Sequence, residues 1–357
     1  MKTLLKIALL VLLGISVQLL LAQPQQGSPG YLFNDSHVHL TNYIQKGPTA
    51  KDFLKVMGDK VGRAVLFGIP LQQQWSYFNT GSFAPWYYTQ TDAPLYYYSF
   101  TDAMIAMEYR SLTPEQQARF DPMITGFNPT DMYATDHIRR VLTIFPGVFE
   151  GIGEFTIHKE FVSAKIAGET GSLLNPALDS IFSFAGEAGL VVLIHSDIDM
   201  PFPKAGQDPY QVTQLRDLFL RHPNTTIIWA HCGLGRVVAP IKDMIKVLEK
   251  ALSNPKLSHL CFDLSWDEAA KYVVATPEST QATADLINRF PDRFLFGTDE
   301  VGPTDQEKYM KVYNMYAPLL ALLTPDAREK FLKGNYERLF DEAKVKVRAW
   351  EKANAGQ

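Results

Sequence analysis

The sequence predicts a (β/α)8 TIM barrel. Three observations carry that reading. Eight short β-rich runs alternate with longer helical patterns from Tyr31 onward, several of the runs are almost continuously apolar, and residues able to bind a metal fall at the ends of the runs rather than across the loops.

The runs lie at 31–35, 63–68, 122–127, 148–155, 190–194, 225–230, 257–263 and 293–298. Leu190-Val191-Val192-Leu193-Ile194 shows why they belong together. A strand with one wet face alternates polar and apolar residues, whereas this one is apolar throughout, so both faces are buried and a parallel sheet covered by helices is implied. Helical spacing of apolar residues fills 175–188, 210–221, 237–252, 279–290 and 306–323. A doubly wound open sheet is the competing fold, but it calls for a glycine-rich phosphate turn that the chain lacks. Two stretches break the rhythm. The insertion 71–100 is dense in aromatic residues (Trp75, Tyr77, Phe78, Trp86, Tyr87, Tyr88, Tyr96, Tyr97, Tyr98), as a lid, binding loop or rim cluster would be. The tail 341–357 opens as a charged amphipathic helix over 341–352, expected to serve as scaffold or as a contact for a homo-oligomer.

At 357 residues and 46% hydrophobic composition, the chain can bury one large core or two modest ones. The formal charge of −4 leaves no basic stripe for a nucleic-acid backbone, so nucleic acid is not an expected partner and a small-molecule substrate is. Lys2 and Lys6 precede the apolar run 7–21, followed by the polar, Gly/Pro-containing stretch 24–30. That pattern is a secretory signal over 1–22, cut after Ala22, with 23–30 as a short linker and 31–340 as the catalytic domain. It implies export, periplasmic or secreted, without stable membrane insertion after cleavage. Cys232 and Cys261 are the only cysteines, so no disulfide framework holds the domain, and both read as free buried thiols.

The chemistry begins at Asn34-Asp35-Ser36-His37-Val38-His39. Residues two apart on a strand point the same way, so the His37 and His39 imidazoles project together, and two imidazoles supply half of a tetrahedral zinc site. Alone, a His-x-His pair is a weak motif. Its weight comes from Glu154, His195, His231 and Asp299, each at the C-terminal end of a predicted strand. Buried charges and imidazoles there are costly unless paired or ligated, and this is the end where TIM barrels carry their sites. His158 and Lys159 after strand 4, Arg236 after His231, and Trp266 after strand 7 are candidates for binding substrate, the cationic ones through a carboxylate or phosphate. His137, His222 and His259 lie away from strand ends and read as structural.

The ordered pieces Asp35-Ser36-His37-Val38-His39, Ile194-His195, Ala230-His231-Cys232-Gly233, Leu295-Phe296-Gly297-Thr298-Asp299 and Gly334-Asn335-Tyr336-Glu337-Arg338-Leu339-Phe340 span nearly the whole domain. Together they resemble the amidohydrolase superfamily and, within it, the amidohydrolase-2 branch, which includes decarboxylases similar to aminocarboxymuconate-semialdehyde decarboxylase. The resemblance implies that His37, His39, His195 and Asp299 hold or serve a divalent ion, and that His231 binds a second ion or acts on the substrate. Where two-metal relatives carry a carboxylated lysine on strand 4, this chain has Glu154, as the TatD-like nucleases do. Glu154 can bridge two ions or orient a ligand histidine, so one or two ions per chain are expected, with zinc first among them. The expected chemistry is hydrolysis of a small amide, ester or lactone by metal-activated water, with Asp299 as proton acceptor and His231 polarising the carbonyl or holding the second ion. A decarboxylase of an unsaturated or aromatic acid and a catalytically inactive binding protein are the alternatives.

Overall fold

The computed structural model describes residues 30–41, 46–69, 100–159, 171–199, 209–241 and 243–355. The signal segment expected over 1–22, the linker as far as 29 and the aromatic insertion from 71 to 99 lie outside the described residues. A strand forms at each of the eight runs: β1 (Phe33–Asp35), β2 (Val61–Leu66), β3 (Phe120–Ile124), β4 (Gly151–His158), β5 (Val191–Ser196), β6 (Ile227–Trp229), β7 (Leu260–Leu264) and β8 (Phe294–Phe296). All neighbours pair in parallel, and their order in the sheet follows the chain. This is the (β/α)8 barrel that the sequence predicts. Every residue of β3, β5, β6, β7 and β8 is buried, as strands covered on both faces must be.

Closure of the barrel bears directly on function. The Ser36 backbone N–H donates to the Phe296 carbonyl at 3.1 Å, and the Phe33 and Phe296 rings meet edge to face with centroids 4.7 Å apart. Past β1 and β8, the chain forms a second, two-residue parallel pair between Val38–His39 and Glu300–Val301. The Asp299 N–H donates to the His37 carbonyl at 2.7 Å and that of Gly302 to the His39 carbonyl at 2.8 Å. The backbone seam joining the first and last strands is therefore the segment that carries His37, His39 and Asp299.

Helices cover the outer faces. The first is α1 (Ala50–Met57), whose N-cap Thr49 accepts from the Asp52 N–H. It is followed by α2 (Thr101–Arg110) and α3 (Ala134–Ile144). α4 (Pro176–Ala188) begins on the Asn175 cap with proline at its first turn and ends on left-handed Gly189. Then come α5 (Tyr210–Arg221), α6 (Met244–Leu252), α7 (Asp267–Val273), α8 (Pro277–Arg289) and α9 (Asn335–Ala353). Two predicted helices differ. The pattern over 237–252 becomes a helix only from Met244, because Pro240 has no N–H to donate and Asp243 turns left-handed at φ 60°. The pattern over 306–323 divides into Gln306–Tyr309, Lys311–Met315 and Ala317–Leu320, the last carrying Pro318 in its first turn. Among the described residues no helix is long and apolar enough to cross a membrane.

Candidate metal centre

At the C-terminal mouth of the barrel the strand ends deliver four imidazoles and three carboxylates into one buried cluster. Asp35 anchors it. Its Oδ1 accepts from the backbone N–H groups of His37 (3.0 Å) and Thr298 (2.9 Å), and its Oδ2 accepts from the Thr298 and Tyr309 hydroxyls, both at 2.6 Å. One carboxylate thereby ties the strand of His37 to the strand of Asp299. Burial pushes the Asp35 carboxyl up to about 6 against the pull of these donors.

Each histidine is oriented from behind. His39 donates through Nδ1 to the Gly68 carbonyl at 2.7 Å, and a Cβ at position 68 would lie 1.8 Å from Thr101 Oγ1. His37 Nδ1 lies 2.9 Å from Asp263 Oδ2, and His231 Nδ1 lies 2.8 Å from Ser265 Oγ. The Nε2 atoms of His37 and His39 each stand 3.2 Å from Asp299 Oδ1, and 3.8 and 3.4 Å from Glu154 Oε2. His231 Nε2 is 3.7 Å from Asp299 Oδ2. His195 is turned the other way, with Nδ1 2.7 Å from Glu154 Oε1 and Nε2 3.2 Å from Asp197 Oδ1.

The electrostatics follow from packing these groups out of water. Burial alone would raise Glu154 and Asp299, but Lys159 and the histidines hold the Glu154 carboxyl well below its ordinary value, and His37, His39 and Lys159 do the same for Asp299. Burial alone would lower His37 and His39, but Asp299, with Asp263 beside His37 and Glu154 beside His39, raises both. His195 is raised by Asp197 and Glu154 against burial and Lys159. His231 is the exception: burial pushes it down to about 3, Asp263 pulling the other way, so it stays a neutral imidazole. The mouth is a pocket of ionised carboxylates that favours positive charge.

The backbone here is strained as well. Of the five non-glycine residues with left-handed φ among the described residues, four are His231 (54°), Cys232 (53°), Trp266 (76°) and Asp299 (52°). Each such conformation costs on the order of 1–3 kcal/mol, and all four sit at this mouth.

The structure thus brings His37, His39, Glu154, His195, His231 and Asp299 together. The residues read as substrate-binding stand around them. Lys159 Nζ is 3.4 Å from Glu154 Oε1 and 5.0 Å from the centre of the Trp266 ring, while Arg236 faces the same ring at 5.7 Å and pairs with Glu268. Trp266 packs 5.1 Å from the His231 ring. His158 ends β4 partly buried, its pKa lowered by burial. Sequence reasoning missed Asp263, Ser265 and Asp197. A charge inside Leu260-Cys261-Phe262-Asp263-Leu264 was the available signal for the first.

A divalent cation fits these donors. His37 Nε2, His231 Nε2 and Glu154 Oε2 are buried without any hydrogen-bond partner, a costly state unless something is ligated there. Ligand atoms from His37, His39 and Asp299 lie within 4.8 Å of one another, as do those from Glu154, His195 and His231 and those from His37, His231 and Asp263. Imidazole and carboxylate are the ligands zinc and related ions take.

Comparison with known proteins agrees. No curated protein matches the chain. Among solved structures, an uncharacterized TIM-barrel protein from Bordetella bronchiseptica is similar at 14% identity and TM-score 0.53, over 87% of this chain and 99% of that one. An amidohydrolase from Burkholderia multivorans with bound HEPES is similar at 12% identity and TM-score 0.51, over 87% and 99%. A candidate 2-pyrone-4,6-dicarboxylic acid hydrolase from Pseudomonas putida is similar at 14% identity and TM-score 0.50, over 87% and 98%. These likenesses concern the fold. The family model described as Amidohydrolase matches residues 35–341, most of the chain, and on that match the protein belongs to the amidohydrolase family, as a member of a superfamily of metal-dependent enzymes.

Proposed function

We propose that the protein hydrolyses a small carbonyl substrate, an amide, ester or lactone, with water activated at the His37–His39–Asp299–Glu154 cluster. The observation that carries this reading is the set of buried, partnerless donor atoms facing two ionised carboxylates at the barrel mouth. Those donors would hold a divalent cation, which when bound would lower the pKa of adjacent water from about 15.7 toward ~7 and polarise a carbonyl oxygen. Asp299 moves the proton in this reading. Its Oδ1 faces the His37 and His39 Nε2 atoms, while its Oδ2 stands 3.7 Å from His231 Nε2, an oxygen able to accept a proton from water and return it to the leaving group. Glu154, ionised and shared between the His37/His39 side and the His195 side, sets whether one ion or two are held. Lys159, Arg236, Trp266 and His158 form the surrounding wall, and two cations over one indole suit a planar substrate bearing negative charge.

The apolar run after Lys2 and Lys6 supports export, so the substrate would be met outside the cytoplasm. The test combines elemental analysis with turnover in H2(18)O across amides, esters, lactones and unsaturated acids. Bound zinc or another divalent ion, together with one solvent oxygen in the carboxylic acid product, is the expected result. Release of CO2 without solvent oxygen would replace hydrolysis by decarboxylation on the same ligands, and metal binding without turnover on any substrate would leave a binding protein.

A further inference from the structure

Asp263 lies on β7 and is fully buried. Its two oxygens nevertheless reach two of the histidines that the metal reading uses. Oδ2 is 2.9 Å from His37 Nδ1. Oδ1 accepts from the His231 backbone N–H at 2.7 Å and from the Ser265 hydroxyl at 2.7 Å. The Ser265 oxygen is in turn 2.8 Å from His231 Nδ1.

Counting protons along this chain fixes both rings. An ionised carboxylate has no proton to give, so the proton in the Asp263–His37 hydrogen bond sits on Nδ1 of His37, and Nε2 is the nitrogen left to give a lone pair to a cation. Ser265 has one hydroxyl proton, and with that proton on Asp263 its oxygen acts as an acceptor. The proton between Ser265 and His231 therefore belongs to His231 Nδ1, which leaves His231 Nε2 with a lone pair too. These two Nε2 atoms are buried and have no hydrogen-bond partner in the protein. The bond to the His231 backbone also holds that residue in its left-handed conformation at φ 54°.

We infer that Asp263, through Ser265, is a positioning residue that sets the tautomers of His37 and His231, so that both offer an Nε2 lone pair to a cation. The inference rests on the metal reading above and sharpens it. With its lone pair at Nε2, His231 serves as a ligand and cannot donate a proton to a substrate carbonyl, which separates the two roles the sequence left open for it. A histidine's metallated nitrogen is set by the hydrogen bond its other nitrogen makes, and losing such an outer partner typically weakens metal binding 10- to 100-fold.

The test uses the full chain, uniformly 15N-labelled, with Zn2+ as the probe. Long-range 1H–15N correlation reports which ring nitrogen carries the proton, His37 and His231 being assigned by single His→Gln variants, and competition with a chromophoric chelator reports Zn2+ affinity. In the wild type both rings are expected protonated at Nδ1. In Asp263→Asn the side-chain amide can donate to His37 Nδ1, moving the ring proton to Nε2, and the Zn2+ dissociation constant is expected to rise roughly 10- to 100-fold while far-UV circular dichroism stays unchanged. Ser265 Oγ lies 2.8 Å from His231 Nδ1 and 3.2 Å from His37 Nδ1, so Ser265→Ala is expected to alter the His231 signals most while the His37 proton stays on Nδ1 facing Asp263. An unprotonated Nδ1 on either ring in the wild type, or a Ser265→Ala protein with unaltered His231 signals, overturns the inference, as does a folded Asp263→Asn protein with unchanged tautomers and an affinity within twofold. A wild type that binds no Zn2+ overturns the metal reading instead, because the tautomers are also read in the metal-free protein.

Discussion

Asp299 has its neighbours disposed unevenly around its two oxygens. One oxygen is 3.2 Å from two imidazole nitrogens and the other stands 3.7 Å from a third. Asn at 299 keeps the shape and the first set of contacts but cannot accept a proton. Asp299→Asn is therefore expected to retain metal by elemental analysis and to lose about 100-fold or more in kcat; unchanged kcat with normal metal content would remove Asp299 from the proton-moving role. The six strand-end residues could be read from the sequence because each places a metal-type side chain where an apolar strand stops, and the barrel fold sends all such ends to one mouth. Asp263 and Asp35 escaped for the opposite reason. Asp263 acts through His37 and the His231 backbone, and Asp35 through Thr298 and Tyr309, partners far away in the chain that no local spacing reveals.

The closing strand sets the precision with which those side chains meet. A Cβ at Gly297 would lie 2.9 Å from the His37 Cβ, 3.0 Å from the His37 backbone nitrogen and 3.0 Å from the Ser265 Cβ. There the end of β8 is pressed against the segments following β1 and β7. Gly297→Ala is expected to push these apart, at an overpacking cost of roughly 1–3 kcal/mol, lowering both Tm and zinc retention; a variant with wild-type Tm and metal content would show that the seam tolerates movement. At this scale the sequence was most legible where pattern and length were strong. The continuous apolar run at 190–194 and the proline-started, glycine-ended helix α4 formed close to their predicted places. Strand limits moved by a few residues because pairing with neighbours, not local composition, decides where a ladder ends. The helices α1, α2 and α3 fall outside the predicted set: α1 has an apolar stripe of Ala50, Phe53, Val56 and Met57 but is barely two turns long, and α2 has apolar residues on several faces and shows no clear stripe.

Across the whole molecule, α9 ties the far end of the chain to β2, β3 and β4 through a charged cluster of its own. Arg63 grips Asp121 through two nitrogens at 2.7 and 3.0 Å and reaches Asp341 at 2.6 Å, and the Tyr336 hydroxyl donates to Asp121 at 2.7 Å. Arg348 pairs with Glu150, whose second oxygen is buried with no hydrogen-bond partner, and Lys344 stands 3.7 Å from Asp121 and 3.8 Å from Glu150. Two carboxylates out of water side by side are hard to ionise together. Burial first and Asp121 second push Glu150 up to about 8, against Arg348, Lys344 and Arg63. The consequence for stability has a definite sign. Below about pH 4.5 folded and unfolded chains both hold this proton; between about 4.5 and 8 the unfolded chain releases it and the folded chain keeps it, so the folded state is favoured by acid and its advantage is lost as pH rises through that window. The loss is on the order of a few kcal/mol, and it levels off above about pH 8. Glu150→Gln has no proton to lose, so the difference in Tm between wild type and variant, followed by calorimetry from pH 5 to pH 8, is expected to move steadily against the wild type. A difference that is flat across that range would mean that Arg348 and Lys344 keep Glu150 ionised, and that α9 is fastened to the barrel by an ordinary ion pair.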